Sequence, residues 1–187
     1  MRLNTKRESI AVDMDGVIAD TVLQFINWYE KDYGIKIGAE AFHGRPEIEV
    51  LPEGVMKKIV YSPGFFRHVP VMEGSQEALL ELMQHFDVYI VSAAMEFPQS
   101  LSEKYAWLNE HFSFIPWKNI VFCGDKSVIG TDYMIDDHVR NLDCFKGKAL
   151  LFTAGHNIAI DRHNRVNNWK EAIEFFRKEL QNIQVIN

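Results

Sequence analysis

Ser9-Ile10-Ala11-Val12-Asp13-Met14-Asp15-Gly16-Val17-Ile18-Ala19-Asp20 is the stretch that decides how this chain folds. The apolar run ending at Val12 stops against two aspartates and a glycine, as a buried parallel strand stops at its carboxyl end before a tight turn. Beyond the turn, Val22, Phe25, Ile26 and Tyr29 recur at helical spacing, which predicts a helix over Thr21–Tyr33 with Gly34 as its C-cap. Residues 35–72 carry Pro46, Pro52, Pro63 and Pro70 among Gly38, Gly44, Gly54 and Gly64, so only short helices fit between the breaks. After Gly74 an alternation sets in. The pattern predicts a helix over residues 75–85, a strand Val88–Ser92, a helix Gln99–His111, strands Ile120–Cys123, Tyr133–Ile135 and Ala149–Phe152, and a closing helix Trp169–Leu180. Strand and helix in turn argue an α/β fold, a doubly wound parallel sheet with a small helical cap inserted after the first strand. The expected division is a core of residues 1–20 and 73–187 and a cap of residues 21–72.

Composition sets the outer bounds. The 187 residues are 47% hydrophobic and 25% charged, enough for one main core and outside the disordered and low-complexity classes. A net charge of -6 argues against binding to a nucleic-acid polymer, so any anionic ligand must find its counter-charge locally. Cys123 and Cys144 form no CxxC pair and read as small buried hydrophobes in a reducing compartment. The stretch Met1–Ser9 has no apolar signal core, and no apolar run approaches the ~18 to 20 residues that span a bilayer, so a cytoplasmic, membrane-free location is expected. Trp28, Trp107, Trp117 and Trp169 read as packing anchors, Arg162–Arg165 as a solvated basic loop, and His138 as an exposed neighbour of an acidic pair. The seven histidines show no HExxH or comparable ligand spacing.

In open parallel sheets the ligand lies outside the carboxyl ends of the strands. The residues at those ends are Asp13 and Asp15, Ser92, Asp125 and Lys126, and Asp136 and Asp137. Carboxylates so crowded repel one another unless a cation joins them, and an all-oxygen donor set suits Mg²⁺. A hard cation, a lysine and a hydroxyl on one rim make a phosphate site. Asp13 can attack phosphorus to give an aspartyl-phosphate, and Asp15, two residues on, can protonate the leaving oxygen and later take a proton from water. Asp13, Asp15, Asp136 and Asp137 are the expected metal residues, and Ser92 and Lys126 the expected phosphate-binding ones. A Walker-type loop is excluded, because Gly124-Asp125-Lys126-Ser127 lacks the spacing of GxxxxGK[ST]. Phe65 and Phe66, with Phe42 and Tyr61, read either as an apolar lid for a heterocycle or as the small core of the cap.

Asp13-Met14-Asp15-Gly16-Val17-Ile18-Ala19-Asp20, Ser92, Lys126 and Asp136-Asp137 resemble, in order, the four motifs of haloacid-dehalogenase-type (HAD) phosphohydrolases. Pro63-Gly64-Phe65-Phe66, Glu103-Lys104-Tyr105-Ala106-Trp107, Asp125-Lys126-Ser127-Val128 and Leu151-Phe152-Thr153-Ala154-Gly155-His156-Asn157 narrow this, resembling the 5'(3')-deoxyribonucleotidase family over most of the chain. That resemblance implies a HAD-like, Rossmann-like core and a Mg²⁺-dependent hydrolase of nucleoside monophosphates, deoxynucleotides preferred. It also implies a cap closing over the base and a homodimer. Ser92 stands where the family usually has threonine, and keeps the hydroxyl. Ala93, Gly124 and Thr21 replace a serine, an arginine and an aromatic that shape the nucleoside pocket in the animal enzymes, which places Ala93 with Phe42, Tyr61 and Phe65 as the expected substrate pocket. The alternative keeps the chemistry and changes the substrate to a sugar phosphate or another small monoester. A further alternative, a module that accepts phosphate without hydrolysing esters, is disfavoured by Asp15 and by the cap.

Overall fold

The computed structural model describes residues 7–186; the amino-terminal stretch Met1–Lys6, in which no signal core is read, lies outside the described residues. Six strands form one parallel sheet: β1 Ser9–Val12, β2 Asp87–Ser92, β3 Ile120–Phe122, β4 Tyr133–Asp136, β5 Lys148–Phe152 and β6 Asn164–Val166. Their order is β3-β2-β1-β4-β5-β6, with Val12 in register with Ile90 on one side and Ile135 on the other. The winding reverses between β1 and β4, and loops leaving two such strands diverge and open a crevice. Asp13 and Asp137 follow those two strands directly.

Side chains alternate across the pleat and sort into two layers. Ile10, Val12, Val88, Ile90 and Ile135 point to the larger one, where α4 (Ser75–Leu82), α5 (Leu101–His111) and α7 (Trp169–Ile186) bring Leu79, Trp107, Leu108, Trp169 and Phe176. Ala11, Val91, Met134 and Leu151 face the other way and meet Leu142 of the short α6 (Val139–Asp143). The sheet is therefore wound on both faces, as expected.

Between β1 and α4 the chain makes a helical excursion. α1 (Thr21–Tyr33) begins where the Asp20 carboxylate accepts the Leu23 N–H and ends at Gly34 in the left-handed region at φ 68°. Two short helices follow, α2 (Glu47–Val50) and α3 (Val55–Val60). The excursion has its own apolar cluster of Phe25, Tyr29, Leu51, Ile59, Val60, Phe65 and Phe66. Its two ends lie side by side: Asp20 N–H donates to the Pro70 carbonyl and Met72 N–H to the Ile18 carbonyl, each at 2.8 Å.

Four expectations need correction. β6 begins within the stretch read as a solvated basic loop, and Arg165 donates to Thr153, Asn157 and Ile160 instead of facing water. Trp117 is 77% exposed and anchors nothing, unlike the buried Trp107 and Trp169. Cys144 is exposed and Cys123 only partly covered. His138 is partly buried, stacked on His156 with ring centroids 4.5 Å apart. Among the described residues no helix is long and apolar enough to cross a membrane.

Candidate active site

The loop after β1 is drawn tight by one carbonyl. Met14 O accepts from Val17, Ile18 and Ala19, and Gly16 N–H closes the turn on Ala19 O. Gly16 has φ +75°, and a Cβ there would collide with the Asp137 carboxylate, so glycine is required by conformation and by close approach alike. The turn thereby brings the β1 loop against the β4 loop.

Asp13 is 6% exposed, and its Oδ1 accepts the Met14 N–H at 2.6 Å and the Lys126 ammonium at 2.7 Å. Lys126, itself buried, bonds Asp136 at the same distance. Asp136 is fully enclosed: His138 N–H at 2.8 Å and Asn141 Nδ2 at 3.0 Å complete the bonds to its oxygens. Asp137, also buried, is held through its carbonyl, which accepts Asn157 Nδ2 at 2.8 Å, while its Oδ1 has no partner. Asp15 Oδ2 takes the ammonium of Lys104 and lies 3.4 Å from Ser92 Oγ, and its Oδ1 is likewise buried without a partner. Lys104 also reaches Ser92 Oγ at 3.1 Å.

All six expected catalytic, metal and phosphate residues are thus gathered at the crevice. Lys104 joins them unannounced by the sequence reading. A lysine inside a helix normally marks a wet face, and its one signal was its place in Glu103-Lys104-Tyr105-Ala106-Trp107, one of the segments that carry the family resemblance.

Four carboxylates against two ammonium groups leave two negative charges uncompensated in a buried place. Burial pushes the Asp13 carboxyl up to about 7 against the pull of Lys126, and Asp136 and Asp15 push the same way. Burial, then Asp13 and Asp136, raise Asp137 well above the carboxylate range. Burial alone would lower Lys126, but the two aspartates outweigh it and raise that ammonium. Burial lowers both His138 and His156. Carboxylate oxygens of Asp13, Asp136 and Asp137 all lie within 4.8 Å of one another. With the Asp137 Oδ1 of this cluster buried and unpartnered, the donor set fits a hard divalent cation.

Asp13, Asp15, Lys104 and Lys126 line a cavity of about 360 Å³ together with Phe25, Phe65, Phe66 and Phe97. Thr21, Glu47, Ala93, His138 and Arg140 are also part of its lining. Of the expected pocket residues, Phe65 and Ala93 are present and two are corrected. Phe42 is 1% exposed and packs against Gly155, outside the cavity lining; Tyr61 is half exposed and meets Phe97 edge-on at 5.9 Å.

A family model described as 5' nucleotidase, deoxy (pyrimidine), cytosolic type C protein matches residues 7–181. The chain belongs to this 5'-nucleotidase family. It is 39% identical over 168 residues to a 5'(3')-deoxyribonucleotidase of Bacillus subtilis, covering 88% of this chain and 96% of that one. A Staphylococcus aureus protein that carries the same name provisionally is 46% identical over 182 residues, 95% of this chain and 98% of its own. Among solved structures, a haloacid dehalogenase-like protein of Streptococcus pneumoniae superposes with a TM-score of 0.60 at 13% identity, covering 91% of this chain and 98% of that one. A Bacillus subtilis HAD-type hydrolase solved with magnesium gives 0.58 at 12% identity, covering 91% and 99%. These likenesses give this nucleotidase-family chain the HAD fold.

Proposed function

We propose that this protein hydrolyses nucleoside monophosphates, deoxynucleotides above all, to nucleoside and phosphate through a phosphoryl-aspartate at Asp13. One juxtaposition carries the reading: an aspartate pair, two buried lysines and four phenylalanine rings share a single cavity of nucleotide size. Membership of the nucleotidase family and the names of the relatives support the substrate class.

Asp13 Oδ1 is tied to Met14 and Lys126, which leaves Oδ2 to attack phosphorus as the bond from phosphorus to the sugar oxygen breaks. Asp15, held at Oδ2 by Lys104, delivers a proton from its other oxygen to the departing alkoxide. The same oxygen then takes a proton from the water that opens the phosphoryl-aspartate, and Asp13 is regenerated. Ser92 and Lys126 hold the phosphoryl oxygens.

Asp13, Asp137 and the Asp15 carbonyl would hold Mg²⁺, which when bound supplies the missing two positive charges and keeps Asp13 ionised at neutral pH. Asp136 spends its oxygens on Lys126, His138 and Asn141, so its part is to aim that lysine. Residues 21–72 act as the cap, and Phe25, Phe65, Phe66 and Phe97 stack the base.

Phosphate release from a panel of deoxyribonucleotides, ribonucleotides and sugar phosphates, with Mg²⁺ and with EDTA, tests this. Nucleotides are expected to turn over, and EDTA or Asp13→Asn to abolish release. Sugar phosphates hydrolysed faster than every nucleotide would reject the substrate assignment, and phosphate retained on the protein without release would reject hydrolysis.

A further inference from the structure

Phe65 and Phe66 lie on an irregular segment, Pro63–Val69, whose only regular piece is a single 3-10 turn at Phe66–His68. No strand ladder holds such backbone, so its polar groups must find partners elsewhere. Phe65 and His68 N–H donate to the nearby Ser62 and Gly64 carbonyls, and others find partners on two helices. Glu103 of α5 accepts Gly64 N–H at 2.7 Å on Oε1, and Phe66 and Arg67 N–H at 3.1 Å each on Oε2. One turn on, Trp107 Nε1 donates to Val69 O at 2.7 Å. From α1 the buried Gln24 donates to Phe65 O at 2.6 Å.

The next residue of α5 serves the chemistry. Lys104 lies 4.7 Å over the Phe66 ring and bonds Asp15 and Ser92. One short piece of helix therefore fixes both the aromatic wall and the acid, and with them the spacing between the two. Glu103 itself does not line the cavity.

We propose that Glu103 is a specificity-determining positioning residue: by clamping three backbone amides it sets how far the Phe65–Phe66 wall stands from the phosphate site, and so how firmly a nucleoside's heterocycle is gripped. The inference rests on the nucleotidase reading above. It assigns to this carboxylate the preference for nucleotides over phosphate esters that carry no base. Charge-assisted bonds from N–H groups to a carboxylate are roughly twice as strong as neutral ones. A glutamine cannot replace them, since its amide nitrogen must turn two donors toward Gly64 or toward Phe66 and Arg67.

The experiment compares wild type, Glu103→Gln and Glu103→Ala on thymidine 5'-monophosphate and on deoxyribose 5-phosphate, which has the same reacting end and no base. Glu103→Gln is expected to raise KM for the nucleotide about tenfold with kcat within twofold. Its kcat/KM on deoxyribose 5-phosphate should stay within twofold of wild type, which also shows the catalytic centre intact. Glu103→Ala should extend the same trend. Equal loss on both substrates, or loss confined to kcat, overturns the assignment, because Glu103 would then serve folding or the chemical step alone. Unchanged KM in both variants overturns it as well. The wild-type ratio reads the underlying function by itself: no preference for the nucleotide sinks the substrate assignment and this inference with it.

Discussion

Asp13→Asn should make the cation-free protein more stable, and increasingly so as the pH rises. The folded state lifts this carboxyl from 3.8 to about 7, so between those values the folded chain holds a proton that the unfolded chain has lost. Stability then falls with rising pH across that window and levels off above it. At about 1.4 kcal/mol for each pH unit, the full cost at pH 8 is about 4 kcal/mol, of which less than half is already present at pH 5. Asparagine keeps the acceptor for Met14 and Lys126 and sheds the charge, and Asp137, which Asp13 pushes upward, is relieved too. In EDTA the thermal midpoint of the variant should therefore gain on wild type by about 3 kcal/mol between pH 5 and pH 8, roughly 8 °C for a chain of this size. Calorimetry or dye-monitored melting at both pH values reads it. Millimolar Mg²⁺ should narrow the gap at pH 8 by binding wild type in preference. A gap that stays constant with pH, or closes from pH 5 to pH 8, would refute the claim that an uncompensated negative charge is built into this crevice.

Two further outcomes follow from the same geometry. Lys104→Met should cost about 10² in kcat on nucleotides, whose alkoxide needs a well-aimed acid, and far less on p-nitrophenyl phosphate, whose leaving group does not; equal losses on both would show that Lys104 does not aim Asp15. Gly16→Ala should drive the Asp137 carboxylate aside, and calorimetric titration should show weakened Mg²⁺ binding, with turnover down about 10² or more; wild-type affinity in that variant would mean that the turn yields freely.

The start of the fold was legible because its signals are local. Ser9–Val12 and Thr21–Tyr33 lie where periodicity and the glycine caps put them. The gathering of Asp13, Ser92, Lys126 and Asp137 was legible for a different reason, since each stands at or shortly beyond the carboxyl end of a strand of a parallel sheet and strand ends share one rim. β6 escaped because Asn164-Arg165-Val166 is a strand only by virtue of pairing with β5, and three mostly polar residues advertise nothing. Phe42 and Tyr61 misled because an aromatic among prolines and glycines announces burial without saying against what. Glu103 and Lys104 belong to a segment that carries the family resemblance, but their roles were hidden by their helix: only the tertiary structure places an irregular loop above one and an aspartate above the other.

The paired strands of chain at Ala19 and Val71 have a consequence for how this architecture can diversify. A segment whose two ends are already neighbours adds little closure entropy when it lengthens, because that cost grows only with the logarithm of loop length. The sheet and its carboxylates thus tolerate a longer, shorter or wholly different graft at that joint. Selectivity can be rewritten there while the reacting groups stay untouched.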